Sequence, residues 1–585
     1  MTNSKTSVIM IAMFLVLSSS MAVIITAGGE NSDAETIDYT DWIKISTPED
    51  LSKIGTGGSY PVDGKYVLTS DINFKGKDLN GGGSANGNMD PLSPDGDFIG
   101  TFHGDGHKII GLILISSDSS GYTSFGLFAK VGEGVVLDGI GLEGGSTTIE
   151  SSDTDAGSLV GYAESLTMTN CYNTGDITAT GSMDAYVGGL INYATSLTMT
   201  NCYNTGDITV TGSMDTYVGG LISYAESLTM TNCYNTGDIT ITISSTSHIY
   251  AGGLIGYNDV SPITITDSYN TGDITTKTTG ETTSYIISGG LVAYSDSSMT
   301  MTNCYNMGDL TATAANADVG GLVAYSDSSV TMTNCYNAGD ITATVTSSSY
   351  AHAGGLVVYT SSVTMTNCYN AGDIKATSSL SDAYAGGLVV YTYSVTMTNC
   401  YNAGDITVTV ASSSYACAGG LVAEADELMV TNCYSAGDIK ATSSSDAYAG
   451  GLIGNVYSSA MVTNCYFSGS ASDSIGNGIE NVLFDGGISS RENPSGKLSF
   501  ADLQNEASYY SGITDVDGED VEGWDFTEIW YIDGTKKLNS GLPYLRVFDI
   551  PDPPSGDNMM LYIGIGIAAA AAIGIVVYFL FIRKT

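Results

Sequence analysis

The chain is 585 residues long and carries 62 acidic against 18 basic side chains, a formal net charge of −44. With no Lys/Arg-rich run anywhere, this balance excludes a nucleic-acid binder, which needs a basic footprint. It suits an extracellular or high-salt surface.

Residues 1–27 read as a secretory signal peptide. Lys5 supplies a positive start, Val8 to Leu17 an apolar run, and Ser20-Met21-Ala22 a small-x-Ala cleavage site. The alternative is an uncleaved anchor. Residues 28–41 are an acidic, polar linker. Residues 42–150 read as an N-terminal cap and first coils. There Thr47-Pro48-Glu49-Asp50-Leu51 has an N-cap threonine, proline at the first helical position and acids in the first turn, which predicts one short helix. Residues 66–72 and 100–110 read as strands with tight turns.

Residues 151–470 are organised by a repeat. Its clearest copy is Thr398-Asn399-Cys400-Tyr401-Asn402-Ala403-Gly404-Asp405-Ile406. Cys or its substitute recurs at Cys171, Cys202, Cys233, Ser268, Cys304, Cys335, Cys368, Cys400, Cys433 and Cys465, in steps of 31 to 36 residues. A fixed period of this size signals a solenoid. Each copy follows a Gly-Gly-Leu-Val/Ile signal such as Gly386-Gly387-Leu388-Val389. Residues 386–391, 395–398 and 406–410 are β-rich or alternate apolar and polar, which predicts strands. Asn402 to Asp405 and Ala411 to Ser414 read as turns. No window has helical periodicity. One repeat therefore reads as three short strands, one coil of a right-handed parallel β-helix, about ten coils in all. The Cys-to-Asp distance is always five residues, while Asp to the next Gly-Gly runs from 11 to 16. The fixed part must stack in register; the variable part reads as an edge loop.

The copy at Cys465 lacks its Gly-Asp, and residues 471–550 read as a C-terminal cap with a short helix near 498–503. Residues 551–558 form a Pro-rich stalk. Residues 559–582 are uncharged and apolar, and at 1.5 Å per residue they reach roughly 36 Å, enough for a transmembrane α-helix. Arg583-Lys584 follow, so the tail 583–585 is expected in the cytoplasm and the repeats outside.

Gly-Gly-Leu-Val-x-Tyr followed by Asn-Cys-Tyr-Asn-x-Gly-Asp-Ile resembles the GLUG-motif repeat family of secreted and cell-surface, adhesin-like proteins. The resemblance spans roughly residues 42–550. The motif's fourth letter is kept at Gly161, Gly256 and Gly454 and lost at Asn192, Ser223, Ala293, Ala324, Val358, Val390 and Ala423. It implies a surface solenoid and brings no catalytic residues. Some members carry zinc peptidases, but this chain has no His-Glu-x-x-His.

The chemistry-bearing residues mostly repeat. His103 and His107 flank a Gly-Asp-Gly turn, a poor metal pair. Nine of ten Cys share one ladder position without any Cys-x-x-Cys, which reads as small, buried, reduced thiols; Cys417 stands outside it. One tyrosine ladder, Tyr162, Tyr193, Tyr224, Tyr257, Tyr294, Tyr325, Tyr359 and Tyr391, is either an aromatic platform for ligand stacking or plain structural stacking. A second runs through Tyr172, Tyr203, Tyr234, Tyr269, Tyr305, Tyr336, Tyr369, Tyr401 and Tyr434. Asp176, Asp207, Asp238, Asp273, Asp309, Asp340, Asp373, Asp405 and Asp438 form one carboxylate per coil, a candidate file for cations, with Ca2+ the natural one.

The whole reads as a single-pass membrane protein with an extracellular ectodomain. It is expected to be adhesin-like or structural, not an enzyme, with a cell-surface glycan or protein as partner and no nucleic acid. The alternative is a carbohydrate-binding or carbohydrate-cleaving β-helix.

Overall fold

The computed structural model describes residues 37–485, except 81–86, 94–95, 118–123, 151–153, 182–183, 213, 245–246, 280–283, 348, 472 and 478–481. It also describes 504, 529–532, 542–545 and 547. The expected signal peptide, stalk, span 559–582 and tail lie outside the described residues, as does the helix expected at 498–503. Among the described residues no helix is long and apolar enough to cross a membrane. Residues 1–43 and 44–585 form two units. In the first, the rings of Tyr39 and Trp42 meet edge to face at 5.1 Å.

Apart from one short helix, the described residues of the second unit are all-β and form a right-handed parallel β-solenoid of about 12 turns. One coil contains strands Ala383–Gly386, Val389–Thr398, Tyr401–Asn402 and Ile406–Val410. Each pairs in parallel with its equivalent one coil on: Ala383 with Ala416, Val389 with Val422, Tyr401 with Tyr434 and Ile406 with Ile439. Equivalent residues therefore stack roughly 4.8 Å apart. Alternation does the rest. Val395, Met397, Ile406 and Val408 are fully buried, while Thr396, Thr398, Thr407 and Thr409 between them are half-buried. Each apolar side chain buried this way contributes about 1.5–3 kcal/mol.

A coil has four strands where the sequence suggested three. Residues 386–391 are not one run, because the chain bends at Gly387 and Leu388. A Cβ on Gly387 would lie 1.9 Å from the Gly420 carbonyl oxygen of the next coil, so glycine lets the coils approach here. The strand Ala383–Gly386 falls where the variable loop was expected. Its four residues are too short and too Ala-rich to register as strand.

The N-terminal helix forms as expected over Pro48–Leu51. The Thr47 hydroxyl accepts the Asp50 N–H at 3.1 Å, and Leu51 is buried. The strands expected near 66–72 and 100–110 are Lys65–Leu68, Ile72–Asn73, Thr101–His103 and Lys108–Ser117. They are already solenoid strands: Lys65 pairs with Thr101 and Ile109 with Leu142, all in parallel. All ten cysteines are free and buried.

Candidate functional site

The repeated Asn-Cys-Tyr-Asn box sits at a corner, and each letter has a task. Asn399 has φ 55°, in the left-handed region that asparagine tolerates best after glycine. Its amide donates to Asn367 Oδ1 in the preceding coil at 3.2 Å. Cys400 turns inward, its thiol donating to the Thr398 carbonyl at 3.3 Å. Ser268 fills the same slot and accepts the Cys233 N–H at 3.1 Å, so the slot selects size. Burial pushes the Cys304 and Cys335 thiols well above their ordinary range, which leaves them unreactive. Asn402 closes its own turn by donating to the Gly404 carbonyl at 2.8 Å. Its Oδ1 accepts from Asn370 at 2.8 Å. This buried amide chain runs unbroken from Asn173 to Asn402.

The Gly-Asp aspartates do form a file. The N–H of each donates to Oδ1 of its predecessor: Asp207 to Asp176 at 3.1 Å, Asp238 to Asp207 and Asp273 to Asp238 at 2.9 Å. Asp309 donates to Asp273, Asp340 to Asp309, Asp373 to Asp340 and Asp405 to Asp373 at 2.8 Å, and Asp438 to Asp405 at 2.7 Å. In every case the donor is the backbone of the next coil. Among the described residues no group of three or more His, Cys, Asp or Glu is arranged to hold a metal ion.

Both tyrosine ladders are brought together. From Tyr162 through Tyr193, Tyr224, Tyr257, Tyr294, Tyr325, Tyr359 and Tyr391, ring centroids are 4.5–5.7 Å apart with planes within 18°. Inner rings thus cover each other's faces and leave edges and hydroxyls outward. The hydroxyls reach the next coil's carboxylates: Tyr224 donates to Asp259 and Tyr257 to Asp296 at 2.9 Å, Tyr294 to Asp327 at 2.8 Å, and Tyr193 to Glu226. Burial, then the neighbouring Tyr393 hydroxyl, raises the Tyr359 pKa to about 12. The ladder from Tyr172 to Tyr434 stacks at 4.7–4.9 Å with planes within 4°. Its C-terminal end is covered: Trp530, Leu542 and Leu545 pack on Tyr401, Tyr434 and Tyr466, and the Tyr434 hydroxyl donates to the Pro543 carbonyl at 2.5 Å.

His103 and His107 are held by different carboxylates, Asp138 at 3.5 Å and Asp71 at 3.4 Å. His103 is buried, and burial lowers its pKa.

Residues 215–242 and 247–275 match the family model described as the GLUG motif. Two consecutive coils of the solenoid thus carry the GLUG motif. None of the curated proteins matches the sequence. A crystal structure of a candidate immunoglobulin A1 protease from Bacteroides ovatus is similar at 17% identity and TM-score 0.33, over 51% of this chain and 76% of that one. A structure named IgA1 Protease is similar at 15% identity and TM-score 0.30, over 52% of this chain and 22% of that one.

In the repeats the outward position of a coil's first strand lies two residues before the Gly-Gly pair. It reads Tyr186, Tyr217, Tyr250 and then Ile287, Asp318, His352, Tyr384, Cys417 and Tyr448. In the second strand, Glu424 takes the ladder position of Tyr391. These breaks went unread because the first strand looked like loop. Aligning the repeats backward from Gly-Gly exposes them.

Proposed function

We propose that this GLUG-repeat protein is a cell-surface rod with an adhesive or surface-layer role, held by the span 559–582 with its repeats outside the cell. One observation carries the reading: side chains, not only backbone, stay in register from coil to coil. Asp, Asn and Tyr each form files along the solenoid, so one surface chemistry is presented many times along one axis. Such repetition suits many weak contacts acting together, where effective concentration multiplies affinity. A catalytic centre instead needs a constellation held at one place. The strong acidity favours a hydrated outer surface.

Attachment of intact cells with and without the full chain to glycan- and protein-coated surfaces tests the role. Weaker attachment without the chain supports adhesion. Equal attachment together with an unaltered cell envelope excludes both roles. Protease added to intact cells should cut in the 551–558 stalk and release nearly the whole ectodomain. An ectodomain that stays protected overturns the orientation.

A further inference from the structure

We infer that the outer corner between the first and second strands, over the coils from Asp318 to Tyr457, is a binding site for a neutral glycan. This goes beyond the surface role proposed above and does not depend on it. The two strands meet at the Gly-Gly bend, and rings from both come together on its outer side. Tyr384 of the first wall and Tyr359 of the second pack on the same three side chains, Val358, Val390 and Ala423.

Tyr350 and His352 still stack here, 5.7 Å apart with planes within 6°, but beyond them the rings turn apart where the regular coils keep them parallel. Tyr186, Tyr217 and Tyr250 stack with planes within 3°. Further along the same wall His352 and Tyr384 open to 55°, Tyr384 and Tyr415 to 40°, and Tyr415 and Tyr448 to 46°. Tyr350, Tyr393 and Tyr457, which are 47%, 50% and 52% exposed, lie in this stretch. Splayed, partly wet rings supply the apolar faces on which a sugar's C–H face packs, with a polar handle beside each.

Two buried carboxyls, with an imidazole and tyrosine hydroxyls bonded to them, converge on the same corner. Asp318 is 2% exposed. It is held by the Tyr285 hydroxyl and by His352 Nδ1, the latter 2.6 Å away. That contact fixes the imidazole and leaves Nε2 for another partner. Glu424 is 5% exposed. It accepts from the Tyr457 hydroxyl at 2.7 Å and from Asn455 Nδ2 at 3.3 Å. Among the described residues no lysine or arginine pairs with it, and burial holds its carboxyl above the usual range. Buried carboxyls without cations are costly. The other coils fill the same ladder positions mostly with tyrosine, so stability is given up here for something other than folding.

The ligand class follows from the mixture. Imidazole and tyrosine hydroxyls beside a buried carboxyl offer both donors and acceptors, matching hydroxyl groups, which do both. An ammonium ligand would leave the donors unused. Uronates and sulfated sugars would meet Asp382, Asp426 and Glu427 on a strongly acidic protein.

Calorimetric titration of the full chain with neutral hexasaccharides of glucose, mannose and galactose tests the site, with polygalacturonate and choline as charged probes. At least one neutral probe should bind. Glu424→Gln and Tyr393→Ala should each weaken it about tenfold or more, and Tyr203→Phe on the other ladder should not. Tyr393 is half exposed, so its truncation keeps the test valid even if Glu424→Gln misfolds. No neutral binding, undiminished binding in Tyr393→Ala, or binding confined to a charged probe would each overturn the site.

Discussion

The backbone N–H of Asp405 donates to Oδ1 of Asp373, one coil earlier, at 2.8 Å. Repeated from coil to coil, this bond holds one oxygen of each carboxylate while like charges stand roughly 5 Å apart along the file. Burial of its carboxyl, and then Asp309 and Asp373, hold Asp340 above the usual carboxylate range against the pull of the Asp373 N–H. Asp340→Asn keeps an oxygen for that N–H and removes a charge. Its melting temperature should exceed that of the parent at low salt, and the gain should shrink toward about 0.15 M salt, where screening already acts. A lower melting temperature would mean that the file needs the charge itself.

Cations along the file should act in the same direction. Sodium chloride is expected to raise the melting temperature, and millimolar calcium to raise it further at matched ionic strength, because calcium prefers carboxylate oxygens. Equal shifts would leave general screening as the whole effect.

Stability should rise as the pH falls from about 7 to about 5. Burial raises the carboxyls of Glu424 and Asp296, as it does Asp340. A raised acid contributes stability that is complete below its unfolded value, near pH 4, and is lost as pH climbs through its folded value. His103, lowered by burial, opposes this within the window, because it charges more readily in the unfolded chain as pH falls below about 6.5. Glu49 and Asp50 are lowered and oppose it at the acid end, Glu49 chiefly by its bond from Lys77 and Asp50 by Thr47 and Ser46 against its own burial. Melting curves of the parent and Glu424→Gln at both pH values check the sign. The variant should show a smaller difference, and a parent more stable at pH 7 would refute the assignment.

Asn370→Ala should cost about 1–3 kcal/mol, the penalty for stranding buried polar groups. The Asn337 amide loses its 2.8 Å acceptor, and Asn402 Oδ1 loses its 2.8 Å donor. Urea unfolding measures it. A loss below about 0.5 kcal/mol would mean that the amide chain adds nothing beyond the strand ladders.

Thiol counting should find the cysteines slow to react in the folded chain and free after denaturation, since all ten are buried and free. Cys368→Ser should be tolerated, as Ser268 already fills an equivalent slot and is fully buried. Eight or more oxidised cysteines in protein purified with thiols blocked would contradict the ladder.

The period, the inward alternation and the Gly-Asp file were legible in the sequence, because a parallel solenoid converts a repeat in sequence into a repeat in space. Asn399 and Asn402 show the limit of that legibility. Their recurrence predicts ladders, but only the coil geometry shows the Asn402 chain buried throughout and the Asn399 chain passing from exposed at Asn170 and Asn201 to buried at Asn399. The four-residue strand Ala383–Gly386 was hidden, since alanine and glycine carry little strand preference and its role comes from pairing one coil away. The corner joining His352 to Asp318 and Tyr457 to Glu424 was hidden for a related reason. Each of those pairs is more than thirty residues apart in sequence, and only the stacking of coils makes them neighbours. Sequence alone determined the coil, its inward faces and its acidity, which are local and periodic. Tertiary structure decided which outward residues meet across the bend and whether a ring's face is covered or open, because both depend on how neighbouring strands turn at Gly-Gly.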